Sequence, residues 1–257
     1  MNIPAKSLLR ILQKLIVALF VFSTLSACAS TSMRAADPRD PFEPINRVAY
    51  AVNDGLDRAL IRPSAKVYRA VTPTFVQIGV TNVFSNAKYP VTLVNNALQG
   101  KFSAAASDTG RFLLNTTVGI GGLFDPATAA GLDRHDEDFG QTFGVWGIGA
   151  GPYFVVPLFG PTTLRDGLGS VADDIAEPRS HLEDDSTRWS LWMFDKFETR
   201  VRLLDADAVL DRSGDPYAFV RSAYLQRREY QVRDGNVPTE DLESEFSEEE
   251  STPDSTP

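Results

Sequence analysis

The sequence feature that most constrains the fold is a run of 26 consecutive uncharged residues, from Phe139 to Leu164. By length alone this run could cross a bilayer, since a transmembrane helix needs about 20 apolar residues. The run contains six glycines and three prolines, however, and these cost about 1 and about 3 kcal/mol each in a helix interior. Irregular backbone at membrane depth must be buried in protein or line a cavity. The run therefore predicts a compact apolar hairpin or loop and disfavours a single spanning helix.

The N-terminus has the pattern of an export signal over residues 1–27, in which basic residues precede an apolar run, 15–25. That run is too short to span a bilayer. It ends in Leu25-Ser26-Ala27-Cys28, which resembles a bacterial lipobox, so Cys28 is expected to become a lipidated N-terminus. The alternative is a chance cleavage site with an unmodified cysteine. Acyl chains would anchor the protein through residues 28–39 as a tether, and Ala29 favours the periplasmic side of the outer membrane.

Charge is distributed unevenly along the chain, whose formal net charge is −9. Residues 234–257 contain nine acidic residues and no basic residue, and their low hydrophobicity predicts a disordered acidic tail. This tail is either a solvated segment or one that steers a basic partner toward the protein. Without the signal peptide and the tail, the chain has 22 basic and 25 acidic residues. That balance provides no basic excess to neutralise phosphates, so nucleic-acid binding is disfavoured.

Residues 40–233 form one predicted domain of short amphipathic helices. Asp40-Pro41-Phe42-Glu43 is typical of a helix start, with Asp40 as the N-cap, and this helix is expected to stop before Pro63. Pro73 and Pro90 are expected to separate the helices that follow. Further helices are predicted over 103–117 and 164–175, from about Ser186 and from Asp215-Pro216, with a brief helical turn at Asp125-Pro126. Clear alternation of apolar and polar residues is lacking, so the predicted fold class is mainly α with one irregular Gly/Pro-rich apolar insert.

The sequence contains few of the residue patterns that enzymes and metal sites need. One cysteine excludes an intrachain disulfide, and no Cys or His pair has the spacing of a structural zinc site. The nucleophile pentapeptide G-x-S-x-G, the P-loop and the dinucleotide fingerprint do not occur. His135 lies in an acid-rich segment, 133–138, but a solvated polar loop is favoured there over a metal site. The sequence therefore predicts no catalytic residue, no metal and no cofactor.

Several motifs, spread in order over about residues 40–230, together resemble the MlaA (VacJ) family of outer-membrane lipoproteins. These motifs are Asp40-Pro41-Phe42-Glu43-Pro44-Ile45-Asn46-Arg47, Gly110-Arg111-Phe112-Leu113-Leu114-Asn115-Thr116, Gly119-Ile120-Gly121-Gly122-Leu123-Phe124-Asp125, Phe139-Gly140-Gln141-Thr142-Phe143-Gly144, Gly149-Ala150-Gly151-Pro152-Tyr153, Leu164-Arg165-Asp166 and Asp215-Pro216-Tyr217. The resemblance implies a ring-like helical protein in the periplasmic leaflet, with an amphipathic channel. Phospholipids misplaced in the outer leaflet would pass through it to a soluble periplasmic carrier, and a trimeric porin would be a partner. Because no nucleotide site is present, the channel would be passive.

The resemblance and the apolar character of two segments together suggest residues along a lipid path. The candidates are Arg111, Phe112, Leu113, Phe139, Phe143, Trp146, Gly149, Gly151, Tyr153 and Phe154. Arg111 could contact a lipid phosphate, because a guanidinium pairs well with phosphate, or it could be a snorkelling or salt-bridged arginine. For each aromatic candidate taken alone, ordinary packing in a core is the favoured alternative. Two other functions remain open at this point: a structural lipoprotein that tethers envelope components, and a lipid-modifying enzyme.

Overall fold

The computed structural model of the chain describes residues 37–236, and this part is mainly helical. The signal peptide, Cys28, most of the tether and tail residues 237–257 lie outside the described residues. The longer helices are α1 (Glu43–Leu56), α2 (Arg62–Val71), α3 (Thr74–Leu98), α4 (Phe102–Thr117), α7 (Leu164–Ala176), α8 (Asp185–Arg202) and α10 (Pro216–Val232). The shorter helices are α5 (Pro126–Ala129), α6 (Phe139–Val145) and α9 (Asp207–Leu210), with 3-10 turns at Pro178–His181 and Leu203–Ala206. The mainly helical fold class is confirmed.

The first α-helix ends at Leu56, before Pro63 as predicted, but the chain does not leave helical geometry there. Between α1 and α2 the chain continues through a π-helical turn, Asp57–Ile61, in which the N–H of Arg62 bonds to the carbonyl of Asp57 five residues earlier. This extra residue in the turn places Pro63 in the first turn of α2, where a missing N–H costs little. Local proline spacing predicts a break, whereas the wider turn accommodates the proline without one.

The position of Asp40 suggested that it caps the first helix, but it does not. The N-cap of α1 is Phe42, and no side chain caps that end. The Asp40 carboxylate is instead buried, where it accepts hydrogen bonds from Asn46 Nδ2 (2.7 Å), Arg221 Nη1 (2.8 Å) and the Tyr217 hydroxyl. A buried carboxylate needs such partners more than a helix end in solvent needs a cap. Asp40 therefore joins the start of the domain to α10.

Pro90 also fails to divide the chain, because it lies inside α3. This helix packs along α4 and buries polar side chains next to the proline, including Asn86, Asn95 and Asn96. Asn96 Nδ2 donates to the buried Asp108 of α4 at 2.7 Å, and Asn86 Nδ2 donates to Thr116 Oγ1 at 2.9 Å. These tertiary contacts offset the cost of about 3 kcal/mol for an interior proline.

The helix starts predicted at Asp125-Pro126 and Asp215-Pro216 are confirmed. Asp125 caps α5 by accepting the N–H of Thr128 at 3.1 Å, and Asp215 caps α10 by accepting the N–H of Ala218 at 3.2 Å. These caps satisfy amides that have no partner within the helix. Short-range signals of this kind depend only on neighbouring residues, which explains why the sequence predicts them well.

The uncharged run contains a compact β-hairpin, as predicted, but it begins with the helix α6, which the sequence did not predict. After α6 the chain turns into β1 (Tyr153–Val156), which pairs antiparallel with β2 (Gly160–Thr163), with Tyr153 opposite Thr163 and Val156 opposite Gly160. Over residues 37–236, no helix has both the length and the apolar character needed to cross a membrane.

The described part of the chain has a polar interior and an apolar exterior. It buries nineteen polar or charged side chains but only ten hydrophobic ones, and seven of the hydrophobic ones form two small clusters. By contrast, Val71, Phe75, Phe102 and Leu158 are each more than two-thirds exposed. Water-soluble domains bury most of their large hydrophobic side chains and rarely expose extended apolar patches. This exterior is therefore suited to an apolar environment.

Candidate functional site

A cavity of about 780 Å³ lies between α3, α7, α8, α10 and the β-hairpin. Its apolar lining residues are Val91, Val156, Phe159, Pro161, Val171, Ile175, Trp189 and Trp192. Its charged lining residues are Lys88, Asp136, Glu137, Asp138, Asp166, Asp173, Asp174, Glu177, Arg179, Arg188, Asp195, Lys196 and Arg228. The lining thus combines a hydrophobic portion with eight carboxylates and five cations, which makes the cavity amphipathic.

The hydrophobic portion is built by the turn of the hairpin and by α8. Phe159 lies 5.0 Å from Trp192 between ring centroids, and Trp192 lies 5.7 Å from Trp189 in an edge-on arrangement. Val171 and Ile175 are one helical turn apart on α7, so their side chains share one face of that helix. Aromatic rings in edge-on pairs add stability beyond the area that they bury. These contacts hold an aromatic surface along the cavity.

A network around Arg228 fixes the charged portion next to α6 and α7. The Arg228 guanidinium lies 2.6 Å from Asp138 and 3.0 Å from Asp166, and Asp166 also accepts from Arg165 and from the Tyr224 hydroxyl. Burial by itself would raise the pKa of Asp166, but the charge and hydrogen bonds of Arg228 and Arg165 outweigh it and hold that pKa below its ordinary value. Asp166 therefore stays ionised and positions three surrounding side chains.

A second group of ion pairs lies around the 3-10 turn Pro178–His181, which contacts both α3 and α8. Lys88 Nζ is 2.9 Å from Asp195, and Arg179 is 2.6 Å from Glu177. Burial raises the pKa of Glu177, and the nearby Arg179 and Lys88 oppose that increase. These pairs use the cations of this region, so they leave little positive charge available for a ligand.

Asp173 and Lys196 are charged groups of the lining that have no ion pair among the described residues. One oxygen of Asp173 accepts the Phe139 N–H at 3.0 Å, and burial raises the pKa of this carboxyl to about 7. The Lys196 ammonium lies 5.7 Å from the centre of the Trp192 ring, and burial lowers its pKa. Each of these groups is therefore placed to meet a ligand of opposite charge.

None of the ten residues proposed from the sequence lines this cavity. Arg111 is only 1% exposed and forms an ion pair with Asp125 at 2.7 Å, and it also donates to Tyr89 and to the carbonyl of Leu132. This geometry favours the salt-bridged alternative and removes the guanidinium from the reach of a lipid phosphate. Arg111 instead connects α4 to α3 and α5.

The aromatic candidates of the uncharged run lie outside the cavity lining. Phe139, Phe143 and Trp146 contact one another in sequence, with centroids 6.2 and 6.0 Å apart. Tyr153 is buried in a hydrophobic cluster, and Phe154 stacks on an exposed phenylalanine at the start of the domain. The part of the run that reaches the cavity is its hairpin turn, 156–162.

The remaining candidates occupy varied surroundings. Phe112 is half-buried and Leu113 is exposed on α4. A Cβ added at Gly149 would have no atom within 4 Å, whereas Gly151 has φ +68° and a Cβ there would lie 3.1 Å from Leu164. Gly151 therefore meets a conformational requirement, and Gly149 does not.

Sequence reasoning missed the stripe on α8 that faces the cavity. Trp189, Trp192 and Lys196 recur three and four residues apart, so they share one face of this helix. The apolar spacing along this segment predicted only a helix, and Trp189 and Met193 on that helix are both exposed. A lysine in register with two tryptophans was the signal that could have indicated a ligand-facing surface.

The acid-rich segment 133–138 is more structured than the predicted solvated loop. Glu137 is buried against Lys101 at 3.0 Å, and Asp138 caps α6. His135 Nδ1 lies 3.1 Å from the buried Asp108. Among residues 37–236 there is no group of His, Cys, Asp and Glu side chains that could hold a metal ion. These side chains therefore serve to attach the segment to neighbouring helices.

Comparison with known proteins gives one consistent family. The model of the MlaA lipoprotein family matches residues 38–231. The intermembrane phospholipid transport system lipoprotein MlaA of Escherichia coli (strain K12) is 37% identical over 221 residues, which are 83% of this chain and 86% of that protein. The protein of the same description in Haemophilus influenzae is 30% identical over 230 residues, with 87% and 92% covered.

A solved structure is also similar to this fold. It comes from work described as the structural basis for maintenance of bacterial outer membrane lipid asymmetry. The two chains are 38% identical and superpose with a TM-score of 0.69, covering 75% of this chain and 98% of the solved one. Both the sequence and the backbone therefore match that structure over nearly its whole length.

Proposed function

The chain belongs to the MlaA lipoprotein family, and from that premise we propose that it is a passive channel for phospholipids in the outer membrane. It removes phospholipids that are mislocalised in the outer leaflet and passes them to a soluble periplasmic carrier for retrograde transport. A trimeric porin is the proposed membrane partner. The relatives named for intermembrane phospholipid transport support the substrate class, while direction and partners rest on the family resemblance.

The observation that carries this proposal is the amphipathic cavity between α3, α7, α8, α10 and the hairpin. Drawing a charged head group through hydrocarbon is costly, and a path with polar groups on one side lowers that cost. The aromatic surface formed by Phe159, Trp189 and Trp192 suits acyl chains, and the carboxylates and cations opposite suit a head group. A purely apolar or purely polar cavity would suit only one end of a phospholipid.

The apolar exterior supports a location within one leaflet of a membrane. Large side chains such as Phe75 and Phe102 gain about 1.5 to 3 kcal/mol each when they move from water into an apolar environment. No helix of residues 37–236 is suited to cross the bilayer. We propose that acyl chains on Cys28 provide the anchor, which incorporation of radioactive palmitate checks.

The experiment that tests the channel uses a glycine of the cavity lining. Gly167 lies on α7, and a Cβ there would meet only Thr162, at 3.6 Å or more. The change Gly167→Phe therefore adds a ring to the cavity without a backbone clash. The matched control is Gly55→Phe, since Gly55 lies on α1 with open space around it and outside the cavity lining. Replacing either glycine removes a helix-destabilising residue, so neither change should unfold the helix.

Each variant is expressed in a strain that lacks the native gene, and phospholipid exposed on the cell surface is measured together with protein abundance. We expect Gly167→Phe to leave surface phospholipid as high as in the deletion strain, and Gly55→Phe to restore the normal level. Full restoration by Gly167→Phe at normal abundance would contradict the channel. A deletion strain with unchanged surface phospholipid would favour a structural tether, and release of fatty acid from vesicles by the purified protein would favour an enzyme.

A further inference from the structure

We propose that Lys196 binds the phosphate of the phospholipid inside the cavity, and that the surrounding carboxylates make this site prefer zwitterionic glycerophospholipids, whose head group carries an amine. This inference deepens the proposed channel and rests on it. It assigns the residue that meets the head group and the class of head group that fits.

The first step is that Lys196 is the cavity cation with no carboxylate partner among the described residues. The other four cations of the lining are engaged: Lys88 with Asp195, Arg179 with Glu177, Arg188 with Asp185 and Arg228 with Asp138. For Lys196 the structure gives one specific contact, with the Trp192 ring at 5.7 Å. Its positive charge is therefore not neutralised by an ion pair within residues 37–236.

The second step is that an unpaired ammonium in such a place favours an anion. Lys196 is exposed among the lining residues, so a molecule that enters the cavity can reach its ammonium. Desolvation and the nearby Lys88 lower the pKa of Lys196, and an anion bound beside the ammonium would favour its charged form. A lysine ammonium is a compact point charge that binds phosphate through several donors. The phosphodiester of a phospholipid is an anion of this kind.

The third step concerns the rest of the lipid. Trp192 and Trp189 lie on the same face of α8 as Lys196, and Phe159 of the hairpin packs on Trp192 at 5.0 Å. Tryptophan has an apolar body with a polar edge, which suits the boundary between head group and acyl chain. A phosphate at Lys196 would therefore place the glycerol and the first acyl carbons against an aromatic surface.

The last step concerns the head group beyond the phosphate. The lining carries three more carboxylates than cations, and the side chains of Asp136 and Asp173 have no ion pair within residues 37–236. This surplus attracts a head group that carries an ammonium, whereas a glycerol head group has no charge beyond its phosphate and gains no such attraction. An ethanolamine-type head group therefore complements the cavity better than a glycerol-type one.

The test uses the full-length lipidated protein in detergent and native mass spectrometry. The protein is mixed with equal amounts of phosphatidylethanolamine and phosphatidylglycerol that have the same acyl chains, and the bound fraction of each is measured. A separate arm adds inorganic phosphate, which distinguishes a site for lipid phosphate from a site for free phosphate. The variants are Lys196→Met, Lys196→Arg and, as a matched control, Lys66→Met, since Lys66 is exposed on α2 outside the cavity lining.

We expect Lys196→Met to lower phospholipid binding by about tenfold, as the loss of one charge-assisted hydrogen bond should do, while Lys196→Arg and Lys66→Met retain it. The wild type should bind the ethanolamine lipid several-fold better, and millimolar phosphate should not displace it. Lys196→Met with unchanged binding would overturn the phosphate site, and equal binding of both lipids would overturn the head-group preference. Displacement by inorganic phosphate would overturn the lipid as the ligand.

The same variants in the deletion strain separate this inference from the channel itself. If the wild type restores lipid asymmetry and Lys196→Met also does so with unchanged lipid binding, Lys196 is not the phosphate site and the channel stands. If the wild type fails to restore asymmetry, the proposed channel fails, whatever Lys196 binds.

Discussion

Replacing Arg111 tests whether this arginine holds the fold together or touches lipid. The guanidinium donates to Tyr89 at 2.6 Å, to the Leu132 carbonyl at 2.5 Å and to both oxygens of Asp125 at 2.9 and 2.7 Å. Arg111→Leu removes all of these bonds at once. It also leaves the Asp125 carboxylate without its cation.

The magnitude follows from what remains around Asp125. Breaking a buried ion pair by removing one partner typically costs about 3 to 5 kcal/mol. Asp125 keeps hydrogen bonds from Asn115 at 3.0 Å and from the Thr128 hydroxyl at 2.6 Å, so its charge is not wholly uncompensated. We therefore expect the lower end, a loss of about 3 kcal/mol. For a domain of about 200 residues this lowers Tm by about 10 °C.

The assay is thermal unfolding of the detergent-purified protein, followed by circular dichroism. Arg134→Leu is the matched control, because Arg134 is exposed nearby and its side chain donates to Ser85 alone in the described structure; we expect its Tm to change by less than about 2 °C. A Tm of Arg111→Leu that matches the control would refute the structural role. If Arg111→Leu keeps its Tm and raises surface phospholipid, a contact between Arg111 and lipid phosphate becomes the better hypothesis.

Two further predictions concern the cavity and the hairpin. Because the pKa of Asp173 rises from 3.8 to about 7 on folding, the folded state binds more protons between these values and stability falls as pH rises from about 4 to about 7. Asp173→Asn should therefore raise the free energy of unfolding by about 1 to 2 kcal/mol at pH 8, after allowance for partial solvation, and leave it unchanged at pH 4. Urea unfolding midpoints at pH 8 that are equal for the wild type and the variant would contradict this. Gly151→Val forces a β-branched residue to φ +68° and against Leu164, so it should cost about 1 to 2 kcal/mol and lower protein level. Gly149→Val, with open space around its Cβ position, should change neither the stability nor the protein level. Identical immunoblot levels of the two variants would contradict a conformational requirement for glycine at position 151 alone.

The features that sequence predicted well are those encoded by neighbouring residues. Asp-Pro pairs start α5 and α10 because the cap and the helix end lie within four residues of each other. The glycines and prolines of the uncharged run exclude a long helix for equally local reasons. Pro63 and Pro90 were misleading because a π-helical turn and packing against α4, respectively, accommodate them. Neither can be read from the residues next to each proline.

The cavity was not predictable from sequence because its parts come from distant segments. Lys88 and Asp195 are 107 residues apart, and Asp138 and Arg228 are 90 apart. Periodicity identified the apolar residues of α8 but not which of them face a cavity, since exposed and buried apolar stripes have the same spacing. The inverted arrangement, with polar groups inside, removes the usual rule that an apolar stripe marks the core.

The polar interior also explains how a chain with an apolar exterior can adopt one structure. In lipid, exterior side chains gain little by moving inward, because acyl chains are as apolar as a protein core. The specificity of packing must then come from groups that require particular partners. Arg221 joins α10 to the buried Asp40, and Arg200 of α8 contacts both Asp57 and Asp207. A shifted helix would leave one of these charges buried and unpaired, at a cost of several kcal/mol. We infer that this network, more than hydrophobic contact, holds the helices apart around the cavity and keeps its charged lining in place.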